Sequence, residues 1–183
     1  MQHLPLAALL LASLSAQAVE FNQVLPERSA IQFAYQQMGV KMDGKFRQFR
    51  SQLNFDPARP TAAKALFEVE LASVDAGSTD ADQEVAGKAW FNTKAFPTAR
   101  FVSTGVKALG GDRYEVSGQL TLKGKTQDIV FPASFTPQGN TGVFDGAFTL
   151  RRADFSIGEG PWAKFDIVAN DVAIKFRIAA SGR

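Results

Sequence analysis

The chain has 183 residues, with twenty basic and eighteen acidic side chains and no cysteine. Without cysteine there are no disulfides and no thiol nucleophile, and because the single histidine is His3, the rest of the chain offers no Ser-His-Asp triad and no histidine ligand for zinc. Basic and acidic residues are mixed along the sequence, which excludes the concentrated positive field typical of nucleic-acid-binding proteins.

An apolar run from Leu4 to Leu14 opens the chain and is followed by Ala16-Gln17-Ala18. This pattern predicts a secretory signal peptide over residues 1–18, cleaved after Ala18, because a signal peptidase requires small residues at alternate positions. The run is too short to cross a bilayer as a helix. We therefore expect a periplasmic protein that does not span the membrane, with one domain over residues 19–183.

The first half of this domain shows the alternation of apolar and polar residues that is typical of half-buried strands. Phe46 and Phe49 interrupt the alternation, because side chains three residues apart cannot share a face of a regular strand. A bulge or bend near Arg47-Gln48 would reconcile them. The predicted strands cover residues 29–37, 45–55 and 65–71.

The period changes between residues 73 and 97, where Asp80, Asp82 and Glu84 precede a group of apolar residues. Asp80 and Gln83 have the spacing of a helix N-cap and its partner, which predicts a short helix over residues 81–89. Carboxylates gather in the first turn of a helix because they meet the positive end of its dipole. A calcium site, which needs many oxygen ligands, is the alternative for these acids.

Residues 114–135 predict a β-hairpin whose register follows from its turn. If Lys123-Gly124 forms a two-residue turn, Leu122 pairs with Lys125 and every later pair is fixed. The register then separates an apolar face from a polar one. The apolar face holds Tyr114, Val116, Leu120, Leu122, Ile129, Phe131, Ala133 and Phe135.

Further strands are predicted over residues 101–107, 142–151 and 171–179. The intervening Gly158-Glu159-Gly160 is weak as a nucleotide motif because it opens no βαβ unit. Eight strands with one helix and short connections predict an all-β fold, an antiparallel barrel of a size that can enclose one small ligand. Whether aromatic side chains fill the barrel or line a cavity stays open at this point.

The chain resembles the YceI-like family of bacterial secreted proteins over almost the whole predicted mature chain. The resemblance rests on the order and spacing of several short motifs. They are Ser29-x-Ile31-x-Phe33, Met38-Gly39, Gly44-x-Phe46-x-x-Phe49, the Asp80 to Phe91 helix leading to Phe96-Pro97-x-x-x-Phe101-x-Ser103, Gly118-x-Leu120-Thr121-Leu122-x-Gly124-x-Thr126, and Arg152-x-Asp154-Phe155.

This resemblance implies a lipocalin-like barrel with an elongated apolar cavity that binds polyisoprenoid or other long-chain lipids, and it implies no enzymatic activity. One departure concerns Gln37, which stands where many members carry a histidine just before the Met-Gly pair. If that histidine touches the polar end of the ligand in those relatives, the head-group preference of this chain differs from theirs.

The leading interpretation is therefore a carrier that holds a long-chain lipid or isoprenoid, with a quinone as one such ligand. The sixteen Phe residues suit that role because they supply apolar surface without polar groups. Phe91 and Trp162 are expected near a mouth, and ordinary core packing is the alternative for each residue of the set. The complete set of candidate ligand-binding residues is Phe33, Tyr35, Phe46, Phe49, Phe67, Val69, Phe91, Phe101, Val116, Leu120, Leu122, Ile129, Phe131, Phe144, Phe148, Trp162, Ile174 and Phe176.

Two other functions are alternatives to the carrier. An enzyme acting on a lipid or quinone could use Arg152 with Asp154 as an acid–base pair, and a packed barrel without ligand could act as an interaction module. An outer-membrane barrel is excluded, because Asp171, Lys175 and Arg177 would face hydrocarbon. We expect no catalytic residue, no metal and no cofactor, and a homodimer is an open alternative.

Overall fold

A computed structural model describes residues 19–182, so the predicted signal peptide lies outside the described residues. Within these residues, eleven strands and one α-helix, α1 at Thr79–Ala86, are joined by loops and short 3-10 turns. No helix within residues 19–182 is long and apolar enough to cross a membrane. The strands are β1 Phe21–Val24, β2 Ala30–Gln37, β3 Val40–Phe46, β4 Phe49–Asn54, β5 Lys64–Glu70, β6 Val74–Asp75, β7 Thr98–Gly110, β8 Arg113–Leu122, β9 Lys125–Gln138, β10 Thr141–Arg151 and β11 Asp171–Gly182.

All strands belong to one antiparallel sheet, in the order β4-β5-β7-β8-β9-β10-β11-β2-β3-β6, with β1 added on β11. The sheet curls round into a lipocalin-like barrel, as predicted. Reciprocal backbone hydrogen bonds of 2.8 and 3.0 Å join Phe21 of β1 to Phe55, just after β4, and so link the edge strand β4 to β1. The barrel is thus closed at this end by a short bridge instead of a full ladder.

The strand count differs from the prediction of eight. Residues 45–55 do not form one bulged strand, because the chain breaks at Arg47-Gln48 into β3 and β4, which lie in different parts of the sheet. Phe46 and Phe49 consequently belong to separate strands. β1 and β6 are too short to show an alternating pattern, and only their partners β11 and β3 define them.

The hairpin of β8 and β9 has the predicted register throughout, from Leu122↔Lys125 to Tyr114↔Ala133. Lys123 and Gly124 both have positive φ, at 49° and 74°, which is the geometry of a type I′ turn. The residue preferences of that turn therefore fix which face of the sheet each side chain of β8 and β9 occupies.

Helix α1 begins two residues earlier than predicted, and its N-cap is Ser78 instead of Asp80. The Ser78 hydroxyl accepts a hydrogen bond from the Ala81 amide at 3.2 Å. Asp82 accepts a 2.6 Å hydrogen bond from the Ala76 amide, and Asp80 lies in the first turn. Among residues 19–182 no group of three or more acidic side chains is arranged to hold a metal ion. The positions of Asp80 and Asp82 in the first turn agree with the helix-dipole interpretation.

Candidate functional site: the barrel interior

The barrel encloses a cavity of about 590 Å³ whose wall is mostly aromatic and aliphatic. All the candidate residues predicted from the sequence line it except Phe49 and Ile129. The alternation of the strands therefore identified the wall correctly, because in a barrel every second side chain faces inward. Contact of these residues with a ligand stays a prediction.

Phe49 and Ile129 are the two members of the predicted set that do not line this cavity, and their contact with a ligand stays a prediction. Phe49 follows the break between β3 and β4, and its ring packs on Phe67 at 6.1 Å between centroids. Ile129 packs from one side against the cluster that contains Leu120 and Leu122. Neither side chain lines the cavity.

Glycines on neighbouring strands explain why so many phenylalanines leave the barrel hollow. The ring of Phe33 lies over Gly44, and the ring of Phe176 lies over Gly146. A Cβ atom at either glycine would stand 2.2 Å from the ring above it. Phe101 over Gly118 repeats the arrangement. Rings that rest flat on the sheet cover the wall without projecting into the centre, which keeps the cavity open.

One end of the barrel is closed by an aromatic plug of Phe21, Phe55, Tyr114, Phe135 and Ala180. The rings meet edge to face, with centroids 4.8 Å apart for Phe21 and Phe135 and 5.3 Å apart for Phe55 and Tyr114. Such pairs contribute about 0.5–1.5 kcal/mol each beyond the area that they bury. Burial and the nearby charge of Asp112 raise the pKa of Tyr114, so its hydroxyl stays protonated.

The opposite end, which we name the α1 end, is covered by α1 and by the segment 152–170. Asp80, Ala81, Glu84 and Val85 of α1 line the cavity there. The indole N–H of Trp162 donates a 2.7 Å hydrogen bond to Glu84 Oε1 and joins the two covering segments. Gln37, at the end of β2, bridges to Val168 and also lines the cavity.

Arg152 anchors the segment 152–170 from within. Only 1% of the residue is exposed, and its guanidinium donates to five backbone carbonyl oxygens at 2.7–3.1 Å. Trp90 and Phe165 lie over it at 5.6 and 5.2 Å. The five acceptors are the carbonyls of Ile157, Gly158, Trp162, Val168 and Ala169.

This arrangement is incompatible with Arg152 and Asp154 acting as an acid–base pair. Asp154 is exposed, and no ion pair within residues 19–182 joins it to Arg152. Every N–H group of Arg152 already has an acceptor. Desolvation lowers the pKa of Arg152 from its very high ordinary value, but the carbonyl oxygens and aromatic faces compensate the buried charge.

Two further groups near the α1 end carry polar atoms. Burial raises the pKa of Tyr35, which lies two residues before Gln37 on the inner face of β2. Trp90 lines the cavity, and its indole nitrogen is inaccessible to solvent. Within residues 19–182 this nitrogen is the single buried side-chain nitrogen or oxygen that has no hydrogen-bond partner. The Trp90 ring packs against that of Trp162 with centroids 5.7 Å apart.

Several lining residues were missed by the sequence reasoning, and they fall into two groups. Ile31 and Ile178 continue alternating patterns that had been recognised, so the signal for them was present. Arg152, Asp80 and Glu84 gave no such signal, because charged residues normally face water. Only the tertiary arrangement brings these three charged residues to the cavity.

Comparison with known proteins agrees with this architecture. A UPF0312 protein of Azotobacter vinelandii is 32% identical over 165 residues, which cover 83% of this chain and 86% of that protein. The crystal structure of Burkholderia cenocepacia BcnA superposes with a TM-score of 0.85 at 37% identity, covering 87% of this chain and all of that one. A polyisoprenoid binding domain from Saccharophagus degradans shares the fold, with a TM-score of 0.70 at 16% identity over 90% of this chain and 98% of that domain.

Residues 23–180 match the YceI-like domain. This match begins within β1 and ends within β11, and it includes the cavity wall, both segments that cover the α1 end and the aromatic plug except Phe21. The protein therefore belongs to the YceI-like family.

Proposed function

We propose that the protein is a periplasmic carrier that holds a long-chain isoprenoid or a similar lipid inside the barrel. The observation that carries this proposal is the cavity of about 590 Å³ with its almost wholly apolar wall. Each methylene-sized group moved from water into such a wall gains about 0.8 kcal/mol. A chain of such groups can therefore bind tightly with few polar contacts.

Two further observations support a lipid as the occupant. An empty apolar cavity favours a hydrocarbon over water, because water there would lack polar partners. The fold is shared with a polyisoprenoid binding domain. The packed interaction module is less well supported, because a solid core would leave no cavity of this size. The predicted signal peptide supports the periplasmic location.

The direct test is to purify the protein from the periplasm of its native host and to analyse a solvent extract by mass spectrometry. We expect a long-chain lipid in an amount comparable to that of the protein. A lipid-free extract from protein that also fails to bind added isoprenoid would refute the carrier.

A matched pair of variants on the central hairpin tests the position of the ligand. Val116 lines the cavity, whereas Val130 is 61% exposed on the outer face. Val116→Trp should fill the cavity and displace the lipid while the barrel stays folded. Val130→Trp should change neither the amount of bound lipid nor the stability of the barrel. If Val116→Trp instead destabilises the protein by about 1–3 kcal/mol and leaves any bound lipid in place, the site behaves as an ordinary packed core.

A further inference from the structure

We propose that the α1 end docks on the surface of a phospholipid bilayer and exchanges its lipid there. This inference rests on the proposed function and specifies how the cavity meets the source of its ligand. The docking surface is the tip patch, which we define as the exposed side chains of Met38, Val40 and Phe165. Met38 and Val40 lie at the tip of the hairpin of β2 and β3, and Phe165 lies in the covering segment 152–170.

The apolar side chains of the tip patch are exposed to an extent that the fold does not explain. Met38 is 71% exposed, Val40 61% and Phe165 51%. Met38 and Gly39 both have positive φ, at 48° and 79°, in a turn whose first position normally favours Asn, Asp or Gly. Neither the turn geometry nor the contact with water thus favours methionine at position 38. Single exposed apolar residues are common, but a group of them marks a surface that contacts a membrane or another molecule.

Backbone hydrogen bonds hold the tip patch together beside the cavity. The Met38 amide donates to the Ile167 carbonyl at 2.8 Å, and Gln37 forms a bridge with Val168. The loop that carries Phe165 therefore lies next to the hairpin tip. Gln37 and Val168 also line the cavity. A lipid that leaves a bilayer at the tip patch would thus reach the cavity without passing along the outer face of the barrel.

A bilayer fits the tip patch better than a protein partner or a second copy of this chain. A stable protein interface buries about 1,200 Å² or more in total, which is far more than three partly exposed side chains supply. Fluid lipid, in contrast, accepts individual apolar side chains between its head groups. Lys41 and Lys164 adjoin the patch in sequence, are exposed and form no ion pair within residues 19–182, so they can meet lipid phosphates.

Charges of both signs surround the tip patch. Asp166 is exposed next to Phe165, and α1 and the loop after it carry the exposed Asp80, Glu84 and Lys88 at the same end. Such a mixture gives no strong electrostatic attraction, so the insertion of apolar side chains must supply most of the binding. We therefore expect docking on zwitterionic phosphatidylcholine, with little change between low and high salt.

The test is co-sedimentation of the purified protein with phosphatidylcholine vesicles, which we expect to bind the wild-type protein at both salt concentrations. Met38→Asn suits the turn, and Val40→Thr keeps the shape of the side chain, so the double variant should stay folded. It should bind the vesicles at least about tenfold more weakly, because it presents polar groups to the lipid.

Val130→Thr is the matched control, because Val130 is also 61% exposed but lies on the outer face of β9. This control should sediment with the vesicles like the wild-type protein. Isoprenoid titration without vesicles should give the same affinity for all variants, because Met38, Val40 and Val130 do not line the cavity.

An absence of vesicle binding by the wild-type protein would overturn the proposal. Equal binding by the double variant, or an equal loss in Val130→Thr, would overturn it as well, because the contact would then lie outside the tip patch. If the protein binds vesicles through Met38 and Val40 but binds no isoprenoid, the docking surface stands and the carrier function fails, which is a distinct result.

Discussion

Single glycines in the strands determine how much space the barrel contains. Gly44, Gly118 and Gly146 each lie beneath a phenylalanine ring that would collide with a Cβ atom. Glycine usually weakens a strand, because it has no side chain to pack and loses more backbone entropy on folding. Here the covering ring supplies the missing packing, and the flat position of the ring leaves the interior open.

Gly146→Ala tests this interpretation. The new methyl group would stand 2.2 Å from the tip of the Phe176 ring, so the ring must turn into the cavity. We expect a loss of stability of about 1–3 kcal/mol and weaker binding of a long-chain isoprenoid. Chemical denaturation and isoprenoid titration measure the two effects.

Gly105→Ala is the matched control, because its Cβ atom would have no neighbour within 4 Å. This variant should bind like the wild-type protein and should not lose stability. Equal behaviour of Gly105→Ala and Gly146→Ala would show that the ring position does not set the cavity.

The hairpin of β8 and β9 is the element that separates the inside of the barrel from the outside most sharply. Leu120 is 8% exposed and lines the cavity, whereas the adjacent Gln119 is exposed and donates a 3.1 Å hydrogen bond to Asp128 across the strands. Neighbouring positions on one strand thus lie in opposite environments.

Placing one charge at each of these two positions tests the register. Leu120→Lys should cost several kcal/mol or prevent folding, because it buries an unpaired ammonium group. Gln119→Lys faces Asp128 and should stay within about 0.5 kcal/mol of the wild-type protein. Thermal midpoints of the two variants provide the measurement, and similar midpoints would contradict the register.

Strands whose sequence alternates between apolar and polar residues were predictable from the sequence. Strands that form only because a neighbouring strand offers them a pairing edge were not. The type I′ turn at Lys123-Gly124 carries its own signal, so the hairpin register could be derived. β1 has four residues and no clear alternation, and it exists because β11 offers an edge. The same reasoning holds for the site, where alternation found the apolar wall but could not find Arg152, whose acceptors come from the irregular segment that follows it.

At the scale of the whole molecule, closure of the barrel depends on the turn after β4. Phe55 bonds to Phe21, and the next residue, Asp56, accepts hydrogen bonds from the Ala58 amide at 2.9 Å and from Arg59 Nε at 2.8 Å. The hydrogen bond from Arg59 is the main reason that the pKa of Asp56 lies below its ordinary value. The ionised carboxylate thus holds the turn that brings Phe55 to β1.

This lowered pKa predicts an acid-dependent contribution to stability. The folded protein holds the Asp56 proton less tightly than the unfolded chain does, so ionised Asp56 stabilises the fold. This stabilisation is fully present above the ordinary carboxyl pKa of about 4. It is lost as the pH falls through the lower pKa that Asp56 has in the folded protein. Asp56→Asn should therefore lower the thermal midpoint at pH 7 more than at pH 3. A deficit that is the same at both pH values would show that the charge is not responsible.

The hydrogen bonds of Arg152 have a consequence for how relatives of this protein can diverge. All its acceptors are main-chain oxygens, which every amino acid supplies, so the side chains of residues 157–169 can be exchanged without removing an acceptor. The segment that covers the α1 end can thus acquire new surface chemistry through point mutations while its backbone stays in place. Ligand preference in such a barrel can change over evolution without a matching change in the scaffold.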